Sequence, residues 1–363
     1  MDDSSEDGDE PTEALQASGA SGASGASTAL RWTIVDYYCG LGGFTAGALS
    51  AFDQAGIEWK GIDVVGVDCD ATPLDSYKRN VGKTANVETV CRKIGTDLIE
   101  WPDENGRLIV HFSPCCQPFS RARVKPAASE VVEDGLQQIR MILDLVIQKD
   151  WKRWSIEEVS HQSILALVDT FSKKHPSKID FAILDAASYG CPSERRRLIV
   201  SSPKIIEKLK SLTTTNYTSP KEALNAAGIT PASDFYRNGN SNCEPRMVSR
   251  PTFTITASHP LVWCNFDRSL VRCMTPRESA ILVGLPQNWI LPNGSILAQK
   301  AVGNVVSPAI AKAVVEAELS ITFEENDKEM DDDRLITFRD TKRMISDAID
   351  ALRNEIFAKR QKR

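Results

Sequence analysis

From Trp32 onward the chain alternates short apolar runs with stretches of helical spacing, and this alternation constrains the fold more than any other feature. Residues 33–37, 64–67, 108–112, 154–156, 181–184 and 198–200 read as buried strands. Between the third and fourth of these, Val131, Val132, Leu136, Ile139, Ile142, Leu143, Val146 and Ile147 recur on one helical face. A connection long enough to hold a helix returns the chain in the same direction, so successive strands pair in parallel. The expected class is α/β, with a doubly wound, Rossmann-like sheet whose ligands sit at the carboxyl ends of the strands.

The ends of the chain have another character. Residues 1–30 hold seven acids and no Lys or Arg, and repeat Ser-Gly-Ala over 18–26, a composition with too little bulky apolar surface to offset the entropy of ordering. A flexible tail is expected there. The formal net charge of -6 belongs to that tail, because residues 31–363 sum to +1. The first residues lack the basic start and apolar stretch of a secretory signal, and no run approaches the ~18 apolar residues of a membrane span, so an intracellular protein, nuclear or cytoplasmic, is expected. Nine cysteines without a C-x-x-C pair fit neither a disulfide framework nor a zinc site, and no metal is expected.

The organisation read from these patterns is a tail over 1–30, a main domain over 31–202, a small lobe over 203–302, a return helix over 303–322, and an acidic linker with a C-terminal helix over 323–363. Within the lobe, 205–212, 220–227 and 276–284 read as helices and 252–256 as a strand. The return helix follows Ser307, with Pro308 just inside its start. Ile345, Ile349, Leu352 and Ile356 make one stripe of the last helix, suited to packing on the body or to a protein partner.

Chemistry gathers where strands end. The first runs into Asp36-Tyr37-Tyr38-Cys39-Gly40-Leu41-Gly42-Gly43-Phe44, a glycine-rich turn opening a helix whose N-terminus favours an anion. Thr45 stands where the dinucleotide fingerprint needs its third glycine, so a cofactor without a pyrophosphate fits at least as well. The second strand ends at Asp68, placed to take ribose hydroxyls. Another delivers Ser113-Pro114-Cys115-Cys116-Gln117-Pro118, where two prolines stiffen a loop carrying a candidate nucleophile. The next ends in Glu157 and Glu158. A further strand holds Arg195, Arg196 and Arg197, with the outer two on one side.

Taken together these segments resemble the cytosine-C5 DNA methyltransferases. That family orders an Asp-x-Phe-x-Gly-x-Gly-Gly turn, a Pro-Cys-Gln loop, a Glu-Asn-Val strand end, a Gln-x-Arg-x-Arg strand, an Arg-Pro-Thr segment and a Gly-Asn helix start. Here Asp36 through Phe44, Cys115-Cys116-Gln117, Glu157-Glu158-Val159, Ser193 through Arg197, Arg250-Pro251-Thr252 and Gly303-Asn304 follow in that order, and Met274 through Pro286 is similar to the family's Thr-x-Arg-Glu-x-Ala stretch.

The resemblance implies a methyltransferase sheet with a small target-recognition lobe, and transfer of a methyl group from S-adenosylmethionine to C5 of a cytosine flipped out of double-stranded DNA. It implies that Cys116 attacks C6, that Glu157 holds the base, and that Arg195 and Arg197 engage the base and the catalytic loop, supplying the electropositive setting a thiolate needs. Asp36, Tyr38, Gly40, Gly42, Gly43, Phe44, Asp68, Cys69, Pro114 and Asn304 are the implied cofactor residues; Gln117, Ser120, Arg237 and Arg246 are the candidate nucleic-acid contacts, with Asn238 and Asn240 beside them. The chain departs from the pattern at Tyr38 (usually Phe), Asp68 (Glu), Cys69 (Trp), Lys93 (Asp), Cys115 (Pro), Glu158 (Asn), Ser193 (Gln) and Val305 (a small polar residue). Two other readings stay open: a tRNA cytosine-C5 methyltransferase, and a catalytically silent nucleic-acid-binding homologue.

Overall fold

The computed structural model describes residues 31–97, 101–104, 106–120, 127–214, 217–239 and 243–329; the expected tail, Asn240 and the stripe at 345–356 lie outside them. The first half lays down β1 (Trp32–Tyr37), α1 (Gly43–Gln54), β2 (Ile62–Asp68), α2 (Ala71–Val81), β3 (Asn86–Cys91), β4 (Leu108–Phe112), α3 (Ser129–Lys149), β5 (Trp154–Glu158), α4 (Gln162–Lys174), β6 (Asp180–Asp185) and β7 (Arg196–Ser201). Then come α5 (Pro203–Ser211), α6 (Pro220–Ala226), β8 (Phe235–Asn238), β9 (Arg246–Met247), β10 (Leu261–Cys264), β11 (Leu270–Cys273), α7 (Pro276–Leu282), α8 (Ser295–Asn304) and α9 (Pro308–Glu329).

The main sheet has the order β3-β2-β1-β4-β5-β7-β6 and is parallel except for β7, which runs antiparallel to both neighbours. It is the mixed, largely parallel α/β sheet that the alternation implied. One apolar layer fills the α3/α4 side, around Val110, Phe112, Ile142, Leu143 and Ile164. The other is built on α1, α5 and α9, and continues through Val283 and Val302 into Tyr236 and Trp263 of the smaller sheet, β11-β10-β8-β9. Gly43 is required where α1 meets the entry to α9: a Cβ there would stand 2.0 Å from the carbonyl oxygen of Val306.

Several elements differ from the expectations, among them the four strands of the smaller sheet, none of which was read from the sequence. β3 was not foreseen, because Asn86-Val87-Glu88-Thr89-Val90-Cys91 is a half-exposed edge with little apolar signal. The α5 helix, read as part of the lobe, packs against β6, β7 and α9 instead. Residues 252–256 form no strand; a single bridge joins Thr252 to Ser193. Gly303-Asn304 closes α8 rather than opening a helix, and the return helix begins at Pro308 and runs to Glu329, past the expected boundary.

Candidate active site

The turn after β1 carries the first group of expected residues, and the structure sorts them into two kinds. Tyr38 adopts φ 60°, an uncommon left-handed backbone for a residue with a side chain, and its carbonyl accepts the Ser113 hydroxyl at 3.1 Å. The Asp68 carboxylate receives the N–H of Gly40 and of Asp70, each at 2.8 Å, and thereby joins the ends of β1 and β2. Tyr38, with Asp68, Cys69, Cys115 and Glu158 close enough to perturb its phenol, sits at the carboxyl edge of the sheet. The phenol oxygen is buried without a partner, and burial pushes its pKa up.

Asp36 and Phe44, expected to touch a cofactor, are turned the other way. Asp36 is fully buried and accepts the Thr45 hydroxyl at 2.8 Å, a hydroxyl that also meets Tyr77 Oη; burial raises its carboxyl to about 7. Phe44 lies flat on His111, centroids 3.7 Å apart, inside the core, where burial lowers the imidazole to about 3 and keeps it neutral. Gly42 and Gly43 serve packing as well: a side chain at Gly42 would meet Tyr77 and Trp289. The ordered turn needs these residues for its shape, which leaves Tyr38, Gly40, Asp68 and Cys69 as the partly or fully exposed members of the expected set there.

Beyond β4, Pro114 is buried, Cys115 exposed and Cys116 intermediate. The N–H of Phe119 returns to the Cys116 carbonyl at 3.0 Å in a short 3-10 turn, Gln117–Phe119, and the buried Phe119 ring fixes that turn against α3 at Gly135. At the end of β5, Glu157 pairs across the ladder with Ile199, which puts Arg197 on the same face two residues along; the Arg197 Nε to Glu157 Oε1 separation is 2.8 Å, and both side chains are about nine-tenths buried. The carboxyl of Glu158 is buried too, with one oxygen taking the Val159 N–H at 2.6 Å and the other unpartnered.

These groups converge on Cys116. Its thiol is pushed up to about 12, first by burial, then by Glu158 and Glu157, against the lowering effect of Arg197 and Arg195. The electropositive setting expected from the two arginines is therefore present but outweighed. Arg195 is largely committed elsewhere, its guanidinium donating to the carbonyls of Ile255, Gly303 and Val305 and so tying β7 to the end of α8. Gly303 instead admits the backbone of Thr256 and Ala257 beside α8, since a Cβ would lie 2.1 Å from the Ala257 nitrogen.

Cys116, Gln117, Ser120, Arg197 and Asn304 all line one cleft of about 1000 Å³. Its other wall was not read from the sequence: Thr254, Thr256 and His259 on the extended segment, His161 ahead of α4, and Lys300 on α8, which reaches Asp70 at 3.7 Å. The Arg-Pro-Thr motif just upstream was the available signal for the first three. Arg246 corrects an expectation, because it is spent internally on the Pro251 carbonyl, the Glu194 carboxylate at 2.9 Å and the face of Phe253. Arg237, on β8, donates to the Asn238 carbonyl and does not line the cleft.

The C-5 cytosine-specific DNA methylase family model matches residues 204–319. The Type II methyltransferase M.AplI of Arthrospira platensis is 24% identical over 312 residues, covering 78% of this chain and 84% of that protein; M.NlaX of Neisseria lactamica is 24% identical over 323 residues, covering 78% and 95%. The chain is thus similar to the C-5 cytosine-specific DNA methylases. The crystal structure of the S. pombe Dnmt2 methyltransferase superposes with a TM-score of 0.54 at 16% identity, covering 80% of this chain and 99% of that one, which establishes the fold.

Proposed function

We propose that the protein is a DNA cytosine-C5 methyltransferase that uses S-adenosylmethionine and a covalent Cys116 adduct. The single observation behind this reading is that Cys116 and Arg197 line one cleft able to admit a base, with Glu157 held against Arg197 on the same edge of the mostly parallel sheet. In this reading a cytosine leaves its duplex, at a cost of a few kcal/mol, and enters beside Cys116. Glu157, oriented by Arg197, holds the base by its N3 and exocyclic amino group. The Cys116 sulfur forms a bond to C6, and the electron pair displaced from the C5–C6 double bond makes C5 nucleophilic. Loss of the C5 proton later restores that double bond as the C6–sulfur bond breaks.

The residues around Tyr38 fit S-adenosylmethionine. The half-buried Tyr38 ring offers an adenine a face, the Asp68 carboxylate is held rigidly by two backbone N–H groups in reach of ribose hydroxyls, and the unpartnered Tyr38 hydroxyl leaves a polar atom for a ligand. Bound there, the cofactor supplies an electrophilic methyl group. Lys93 does not help: its side chain is exposed and its N–H is used by Asp97.

Labelled S-adenosylmethionine incubated with duplex DNA should give 5-methylcytosine, and 5-fluorocytosine DNA should become covalently trapped in a manner abolished by Cys116→Ala. Label in tRNA and none in DNA would select the RNA enzyme instead. Binding with neither label nor adduct would select the silent homologue.

A further inference from the structure

Glu158 stands where the family carries a neutral asparagine, and its surroundings give that acid a role of its own. It ends β5 next to Glu157 and is 1% exposed. One oxygen is satisfied by the Val159 N–H, while the other is sealed from solvent with no partner. The groups facing it are Glu157 of its own strand, Arg197 of β7, Tyr38 of the turn after β1, and Cys116 of the loop after β4.

A charge inventory then decides what this cluster tolerates. Two guanidiniums, Arg195 and Arg197, serve three acidic groups, Glu157, Glu158 and the Cys116 thiol. Glu157 already holds Arg197 at 2.8 Å. One more negative charge brings the pocket to neutrality, and a second would stand uncompensated among side chains that are largely buried. Glu158 and Cys116 therefore compete for a single ionisation.

We propose that Glu158 is a positioning residue that gates the nucleophile: while it holds its proton the one remaining negative charge can develop on the Cys116 sulfur, and once ionised it holds that charge back. This rests on the methyltransferase reading but deepens it, since the control operates on the sulfur before any substrate arrives. Burial and Glu157 hold the Glu158 carboxyl well above the ordinary carboxylate range, which agrees with a retained proton. A charge on Glu158 raises the thiol of Cys116 and so delays its ionisation as pH rises.

The test is the pH profile of Cys116 alkylation by iodoacetamide in the full chain, from pH 6 to 10, with the Cys116 peptide followed by mass spectrometry because the chain holds nine cysteines. Wild type is compared with Glu158→Gln and with Glu158→Asn, two neutral replacements of different length, so that failure of one to fold leaves the other. Near pH 6 the rates should coincide. At pH 9 Cys116 should react about tenfold faster in either variant, the gain in thiolate fraction that accompanies a one-unit fall in its midpoint. Superimposed profiles, or slower reaction in the variants, would overturn the proposal. Alkylation needs neither nucleic acid nor methyl donor, so its outcome and that of the methylation assay stand apart.

Discussion

Replacing Arg197 with methionine keeps much of the side chain's volume and removes its charge, leaving Glu157 buried beside an apolar group. Both partners are about nine-tenths buried and 2.8 Å apart, so the cost is set by stranding a carboxylate. Breaking one side of such a pair is worth about 3–5 kcal/mol, roughly two to four orders of magnitude in the folding equilibrium. Replacing both residues, Arg197→Met with Glu157→Gln, removes the stranded charge and should recover part of that loss. Urea unfolding followed by tryptophan fluorescence gives the four corners of the cycle. The reasoning fails if each single change costs under about 1 kcal/mol and the two simply add, because the pair would then behave like an exposed one.

Asp36 predicts a pH signature. Its carboxyl is raised from 3.8 to about 7 by burial, so between those values the folded state binds more protons than the unfolded chain, and stability falls as pH rises through that window. Asp36→Asn should flatten the decline, recovering on the order of 4 kcal/mol at pH 7 relative to its effect at pH 4, read as the difference between the two stability profiles. Gly43→Ala forces a methyl group into the Val306 carbonyl and should destabilise by about 1–3 kcal/mol or more in denaturant titration, with no recovery on adding ligand in excess. Arg246→Ala should increase amide exchange over 246–256 while leaving the salt dependence of nucleic-acid binding unchanged, since its guanidinium is already engaged by Glu194, Pro251 and Phe253.

Much of the architecture was legible because buried parallel strands are short, apolar and separated by helices. β1, β4 and β5 show this clearly, and so does the cysteine loop between prolines. What escaped reading was decided by tertiary partners. The segment at 252–256 has the β-branched content of a strand, yet its polar groups are satisfied by single contacts, Thr254 Oγ1 to the Glu194 carbonyl and Thr256 Oγ1 to the His259 carbonyl, so no ladder forms. The reversed direction of β7 leaves no mark in its composition. Asp36, Phe44 and Gly43 carry a motif that reads as ligand-binding, although three-dimensional packing is what occupies their side chains or requires their absence. Arg246 read as a free cation because nothing in the sequence reveals that Glu194 and Phe253 await it.

The α1 helix finds its partner in α9 at the other end of the described chain, and the Trp289 indole N–H closes on the Leu41 carbonyl from 248 residues away. During synthesis the glycine-rich turn is thus made early and finished late: its apolar flank stays uncovered until α9 emerges from the ribosome. A truncated product ending before Pro308 would carry every strand of the main sheet and still lack the helix that packs on one of its two apolar layers, which makes premature termination a route to aggregation rather than to a smaller enzyme.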